Sequence, residues 1–143
     1  TRRSSDLRVY ARYYRAHPRV KDDKDVTPED IANYNLILFG DPGSNPWIAK
    51  ILKQLPITWT RQTITAGTQT FPSSDNLPAL IYPNPQNPKK YVVLNSGLTI
   101  DEREYHSDYS MPRLGDLAIL KVQLTETPET AWATIFDENW RLP

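Results

Sequence analysis

Two short polar loops carry the residues whose types and spacing could do chemistry. The first is GDPGSN at residues 40–45 and the second is NSGLT at residues 95–99, and each follows a run of apolar residues. Loops at the carboxyl ends of parallel strands, just before helices, present free N–H groups that bind anions or carbonyl oxygens. The pattern therefore predicts a small-ligand site built from six residues: Asp41, Ser44, Asn45, Asn95, Ser96 and Thr99.

A purely structural interpretation fits the same loops. Asp, Asn, Ser, Pro and Gly are also the residues that tight turns and helix N-caps require. Neither loop has the G-x-G-x-x-G or G-x-x-x-x-G-K-[ST] pattern of a phosphate-binding loop, so nucleotide binding is not supported. The ligand-binding and the structural interpretations both stay open at this point.

Nucleophilic hydrolysis would require a serine, a histidine base and an acid in one site. The chain has two histidines, no cysteine and no G-x-S-x-G nucleophile elbow. Ser44 follows an apolar run, but its spacing in GDPGS differs from that of the elbow. His17 and His106 lie in polar stretches, where exposed side chains are expected. An autonomous hydrolase that uses Ser44 or Ser96 with His106 is therefore the weakest hypothesis, and we predict no catalytic residue.

Composition and charge exclude several other kinds of site and partner. Lys plus Arg and Asp plus Glu both number 17, so no net field attracts nucleic acid. No apolar run approaches the roughly 20 residues that a membrane span needs. Asp22, Asp23 and Asp25 alternate as in a calcium loop, but the glycine and the closing glutamate of that loop are missing. We therefore predict no metal, no cofactor, no nucleic acid and no membrane span.

The elements that must position the two loops follow from the hydrophobic pattern. Residues 35–40 (NLILFG) form a continuous apolar run, which is typical of an interior strand in a sheet covered on both faces. A helix is predicted directly afterwards, over residues 46–55. A second unit of strand, loop and helix is predicted over residues 91–106. If the two strands are parallel neighbours, both polar loops lie at the same edge of the sheet.

The remaining pattern predicts a mixed sheet. Further strands are expected at residues 57–60, 79–82, 117–122 and 131–136, and a hairpin or irregular strands at 61–76. Further helices are expected at 27–34 and at 5–16, although the apolar pattern of 5–16 also suits a strand. Three prolines between residues 83 and 90 exclude a crossover helix, so the strands that flank them should be antiparallel neighbours or be joined by a bent connection. We predict a single α/β domain over residues 1–143, with residues 1–25 partly extended or mobile. Its fold should be a three-layer, flavodoxin-like or Rossmann-like domain with a mostly parallel or mixed sheet flanked by helices.

Several strings of the chain together resemble a known family. They are VKDD (20–23), NLILFGDPGSN (35–45), LIYPNP (80–85), YVVLNSG (91–97), RLGD (113–116) and FDENW (136–140). They resemble the C-terminal α/β domain that follows the α/β-hydrolase domain in large bacterial prolyl-oligopeptidase-like proteins, described as predicted peptidases or esterases. The resemblance covers roughly residues 20–140, and it implies that the nucleophile lies upstream, outside this chain.

The resemblance thus implies a non-catalytic accessory domain, a C-terminal fragment of a larger, exported serine hydrolase. Its partner would be the α/β-hydrolase domain of the same polypeptide or a second copy, and it would shape the substrate cleft or the oligomer. A fragment would explain why the chain begins with Thr1 and not with Met. Relatives often have His where this chain has Leu98, so that histidine is missing here. The alternatives are a ligand-binding module built on the two loops and an autonomous hydrolase.

Overall fold

The computed structural model describes residues 18–95, 114–122 and 129–143, together with Arg8, Ala11, Arg12 and Arg15. Of the described residues, 42% lie in strands and 20% in helices. The predicted three-layer, flavodoxin-like or Rossmann-like α/β fold is therefore wrong, because the described chain is mainly β-sheet. The segment at residues 57–72 accounts for much of the difference, since its three strands pair with one another and form a sheet of their own.

The described strands form two sheets. They are β1 (Leu36–Phe39), β2 (Ile57–Trp59), β3 (Thr63–Ala66), β4 (Gln69–Pro72), β5 (Asn76–Asn84), β6 (Asn87–Asn95), β7 (Leu117–Lys121) and β8 (Glu129–Thr134). The helices are α1 (Pro28–Asn33) and α2 (Pro46–Ile51), with single 3-10 turns at Asp23–Asp25 and Leu52–Gln54. The strands predicted from the pattern are confirmed, and residues 61–76 contain the predicted hairpin, β3 and β4.

The strand order of the larger sheet is β1-β6-β5-β7-β8. β1 and β6 are parallel neighbours, with Leu36 beside Val92 and Phe39 beside Asn95. All other pairs in this sheet are antiparallel, including β5 with β6 across the proline-rich connection. The predicted relations between these strands are therefore confirmed.

Strand β5 includes two prolines where a central strand normally excludes them. Its pairing with β7 covers Asn76–Leu80, and its pairing with β6 covers Ala79–Asn84. Pro78 and Pro83 thus both lie where β5 has a paired neighbour on one side only. A residue without an N–H is tolerated at such positions, because no second strand needs a donor there.

Strand β1 is an edge strand, and its predicted interior position is wrong. Among the described residues it pairs only with β6. Leu38 is 7% exposed, whereas Ile37, on the opposite face, is 51% exposed. An apolar run predicts burial on both faces, but a strand is covered on its outer side only if another segment pairs with it, and no described segment does so.

One hydrophobic core joins the two sheets. Its buried members come from one face of the larger sheet, from the three-stranded sheet and from α2; they include Leu38, Leu80, Val92, Leu94, Leu117, Ile119, Ile57, Trp59, Ile64, Ala66, Ile48 and Ile51. Each buried Val, Leu or Ile among them contributes on the order of 1.5–3 kcal/mol relative to an exposed position. The small sheet and α2 therefore hold β1 and β6 in place from one side.

The helices begin where local chemistry predicts. Thr27 accepts a hydrogen bond from the Asp30 backbone N–H, and Asp30 in turn accepts one from the Thr27 backbone, so that a capping box starts α1. No described helix has the length and apolar character needed to cross a membrane. The predicted helix after residue 99 lies outside the described residues. Of the predicted helix at 5–16, Arg8, Ala11 and Arg12 are described and helical, whereas Arg15 is described as a bend with a φ of 49°.

Candidate functional site

The first polar loop and the last residue of β6 lie at the carboxyl ends of the parallel strands β1 and β6. Phe39 ends β1 and Asn95 ends β6, and the two residues are paired in parallel register. The loop at residues 40–45 leaves β1 directly after this pair. The structure therefore places Asp41, Ser44 and Asn45 at the same strand ends as Asn95. Ser96 and Thr99 lie outside the described residues.

Asp41 closes the turn that follows β1. Its Oδ1 accepts hydrogen bonds from the backbone N–H of Gly43 at 2.6 Å and of Ser44 at 3.0 Å, and its carbonyl oxygen accepts the N–H of Asn45 at 2.9 Å. This arrangement is an Asx turn. It already satisfies the three N–H groups that an anion bound to this loop would need.

Ser44 is held inside the same turn. Its Oγ accepts a hydrogen bond from the Asp41 N–H at 3.0 Å and donates to the Asp41 carbonyl at 3.3 Å. A nucleophilic serine must instead donate its proton to a base. Gly40 has a φ of +105°, and a Cβ there would lie 2.6 Å from Ser44 Oγ, so this turn requires glycine for both its backbone and its space.

Asn45 joins the start of α2 to the end of β1. Its Oδ1 accepts hydrogen bonds from the N–H groups of Trp47 at 2.9 Å and Ile48 at 3.4 Å, which makes it the N-cap of α2. Its Nδ2 donates to the carbonyl oxygen of Phe39 at 3.0 Å. Both ends of this amide are therefore engaged within the protein.

Asn95 is buried at this junction. It is 9% exposed, lies between Phe39 of β1 and Ala79 of β5 in register, and takes part in an interaction of its own. The four described residues of the predicted site thus form a junction between β1, α2 and β6. The geometry supports the structural interpretation of these residues more strongly than ligand binding, which stays a prediction.

Two buried asparagines that the sequence did not single out each have one unpaired amide atom in the described part of the chain. They are Asn76, through Oδ1, and Asn84, through Nδ2, with exposures of 4% and 1%. Buried polar atoms of this kind are uncommon. The two residues lie at opposite ends of β5, about 26 Å apart at about 3.3 Å per residue, and so cannot form one site. Nothing in the sequence distinguishes them from ordinary turn asparagines.

Asp30, a carboxylate outside the loop, has structural partners. Asp30 has a pKa lowered from 3.8 to about 2, because the Lys21 ammonium donates to its carboxylate at 2.6 Å and because the Thr27 N–H and hydroxyl donate to it as well. Within the described ranges, no group of three or more acidic or histidine side chains could hold a metal ion.

Exposed apolar side chains mark both edges of the larger sheet. Ile37 of β1 is in register with Val93 of β6, which is in register with Ile81 of β5, and the last two are half-buried. We call these three residues the edge row; they share the sheet face opposite the main core. At the far edge, Ile135 follows β8 and is 69% exposed.

Comparisons with known proteins leave this geometry without a family. No family model, no curated protein and no solved structure matches the chain.

Proposed function

We propose that the chain is a non-catalytic accessory domain of a larger, exported serine hydrolase, and that it packs on the α/β-hydrolase domain of the same polypeptide. The observation that carries this proposal is the edge row, in which Ile37 is 51% exposed beside the half-buried Val93 and Ile81. Exposed apolar side chains such as Ile37 can mark interaction sites, because their burial contributes about 25 cal/mol for each Å² removed from water.

The polar loop provides a second argument for the same function. Asp41 and Ser44 use their side chains to close the turn after β1, and Asn45 links the start of α2 to the end of β1. A rigid junction of this kind presents the edge row in a single orientation, which lowers the entropy lost when a partner docks. The resemblance of the sequence strings supplies the chemistry of that partner, an α/β-hydrolase domain.

Side-chain footprinting of the complete polypeptide tests the proposal. We expect the open reading frame upstream of Thr1 to encode a G-x-S-x-G segment. Hydroxyl-radical labelling of Val93 and Ile81 should fall severalfold in that complete polypeptide relative to the 143-residue chain. Ile135 is the matched control, because it lies beyond the opposite edge strand and should label equally in both. An upstream region without a hydrolase, or unchanged labelling of Val93 and Ile81, would overturn the proposal.

A small-ligand-binding module is the second candidate, because Phe39, which precedes the first loop, is paired with Asn95, the first residue of the second predicted loop. This function requires acetate or N-methylacetamide to shift the NMR signals of the amides at residues 41–45. It also requires Asn95→Ala to weaken those shifts without unfolding the chain. Titration of both compounds without any shift at these amides would remove this candidate.

A further inference from the structure

We propose that the outer edge of β1 pairs with β1 of a second copy of this chain, antiparallel, about a two-fold axis beside Ile37. The proposed function concerns the face of the sheet and a different partner. Here the edge of β1 binds a second copy of the chain in a defined register, and the product is a closed dimer.

The other edge strands in the described part of the chain carry features that oppose pairing. β8 has a register shift opposite Ile119 and Leu120, and its Glu129 is ion-paired with Lys121 at 2.9 Å. β4 ends in Pro72, and β2 has only three residues. Register shifts, charges, prolines and short length are the means by which proteins block edge-to-edge pairing.

Strand β1 has no charge, no proline and no register shift. Its four residues, LILF, pair with β6 in four consecutive positions. Its exposed residue Ile37 is a β-branched side chain, a type that favours sheet positions. Among the described edges, β1 is therefore the one best suited to accept another strand.

The proposed register is self-complementary. With the axis at residue 37, Ile37 faces Ile37 of the copy, and Leu36 faces Leu38 of the copy. Alternate residues share a face, so Leu36 and Leu38 both lie on the core side of their sheets. The core side of one copy thus continues into that of the other, and the two edge rows meet at the axis. If the register shifted by one residue, the core side of one copy would continue into the opposite side of the other copy.

Charge does not oppose a second copy as the occupant, and symmetry favours it. No charged residue lies within β1, and each chain has 17 basic and 17 acidic residues, so like charges do not oppose the association. Two-fold pairing uses the same edge of both copies, so the assembly is complete with two chains. Four-residue edges bury less than the roughly 800 Å² per partner of a standard interface, so the dimer should depend on concentration.

Cross-linking gives the first test. The chain has no cysteine, so Ile37→Cys places a single thiol at the proposed axis. Facing Cβ atoms of an antiparallel pair lie about 4.5–5.5 Å apart, within reach of a short bismaleimide. We expect a covalent dimer from Ile37→Cys and none from Ile135→Cys, the matched and more exposed control. Equal cross-linking of the two variants would overturn the inference.

Sedimentation over a range of concentrations gives the second test. We expect the unmodified chain to show a monomer–dimer equilibrium, and Ile37→Lys to weaken it at least about tenfold, since two like charges would face each other. Ile135→Lys should leave the equilibrium unchanged. A chain that stays monomeric at every concentration, or an Ile37→Lys variant that dimerises equally well, would overturn the inference. Should Ile37→Lys fail to fold, the cross-linking result decides.

The two proposals can fail separately. Self-association is measured on the 143-residue chain alone, whereas the accessory function is measured by labelling of Val93 and Ile81 in the complete polypeptide. Strand pairing at β1 covers Ile37 and does not cover Val93 and Ile81, which keep the partial exposure that they have in a single copy. Protection of that face without dimerisation would support the proposed function alone, and dimerisation without that protection would support the dimer alone.

Discussion

Asn45 donates a hydrogen bond from its side chain to the backbone carbonyl of Phe39 at 3.0 Å, and this one contact joins the cap of α2 to the last residue of β1. Phe39 is at the same time paired with Asn95 of β6. The end of the parallel strand pair is therefore tied to the helix that follows it. This junction determines how the edge row is presented, and its residues can be tested one at a time.

Gly40 should be the least replaceable residue of the turn. Gly40→Ala places a side chain at a φ of +105° and a Cβ 2.6 Å from Ser44 Oγ. We expect a loss of about 2 kcal/mol or more in the free energy of unfolding, measured by urea denaturation. Gly43→Ala is the control, with a smaller expected loss because its nearest contact, Asp41 Oδ1, lies at 3.1 Å.

The same position allows a double-mutant cycle with Ser44. Ser44→Ala alone removes two hydrogen bonds to Asp41 and should cost about 1 kcal/mol. It also removes the atom with which the new Cβ of Gly40→Ala collides. The double variant should therefore lose less stability than the sum of the single losses. Strict additivity would show that the close approach seen here does not limit substitution.

Asn45 combines a helix cap with a link to β1, and two substitutions separate these roles. Asn45→Asp keeps the acceptor for the Trp47 and Ile48 N–H groups but loses the donor to Phe39. Asn45→Ala loses both and should cost about 1–2 kcal/mol in the free energy of unfolding. We expect Asp to be intermediate between Asn and Ala in thermal melts. An Asp variant as unstable as the Ala variant would show that the link to Phe39 is the dominant contribution.

The stabilisation that the capping box of α1 provides should decrease in acid. The pKa of Asp30 is lowered to about 2 by the Lys21 hydrogen bond and then by the Thr27 donors. Because this value lies below the ordinary 3.8, ionised Asp30 stabilises the fold above pH 3.8, and the contribution is lost as the pH falls toward 2. Carboxyl NMR titration should show the pKa rising toward 3.8 in Lys21→Met. Lys24→Met is the control and should leave it unchanged.

Trp140 should contribute strongly to stability although it lies close to the carboxyl end of the chain. Its ring centroid lies 5.5 to 6.0 Å from those of Tyr82, Tyr91 and Phe136. At about 0.5–1.5 kcal/mol for each aromatic pair, Trp140→Ala should lose about 2–4 kcal/mol in urea denaturation. Trp140→Phe is the matched variant and should retain part of that energy. Equal stability of Trp140→Ala and the unmodified chain would contradict the packing described.

Local features of the chain were predictable because they depend on neighbouring residues. Thr27 with Asp30, and Asn45 with Pro46, begin helices through contacts that span three residues or fewer. The prolines after Tyr82 exclude a helix there whatever the surroundings. The prediction of parallel neighbours for β1 and β6 was also confirmed; in the sequence each is an apolar run followed by turn-forming residue types.

The position of β1 and the use of its loop depended instead on contacts between distant parts of the chain. The run LILF suits an interior strand or an edge strand equally, and among the described residues it pairs only with residues 92–95, which makes it an edge there. In the same way, the residue types of Asp41, Ser44 and Asn45 suit either ligand binding or a turn. In the structure their side chains bond neighbouring backbone groups and stabilise the turn. Residue types limit which interactions a segment can make, whereas the partners that come within hydrogen-bonding distance on folding select among them.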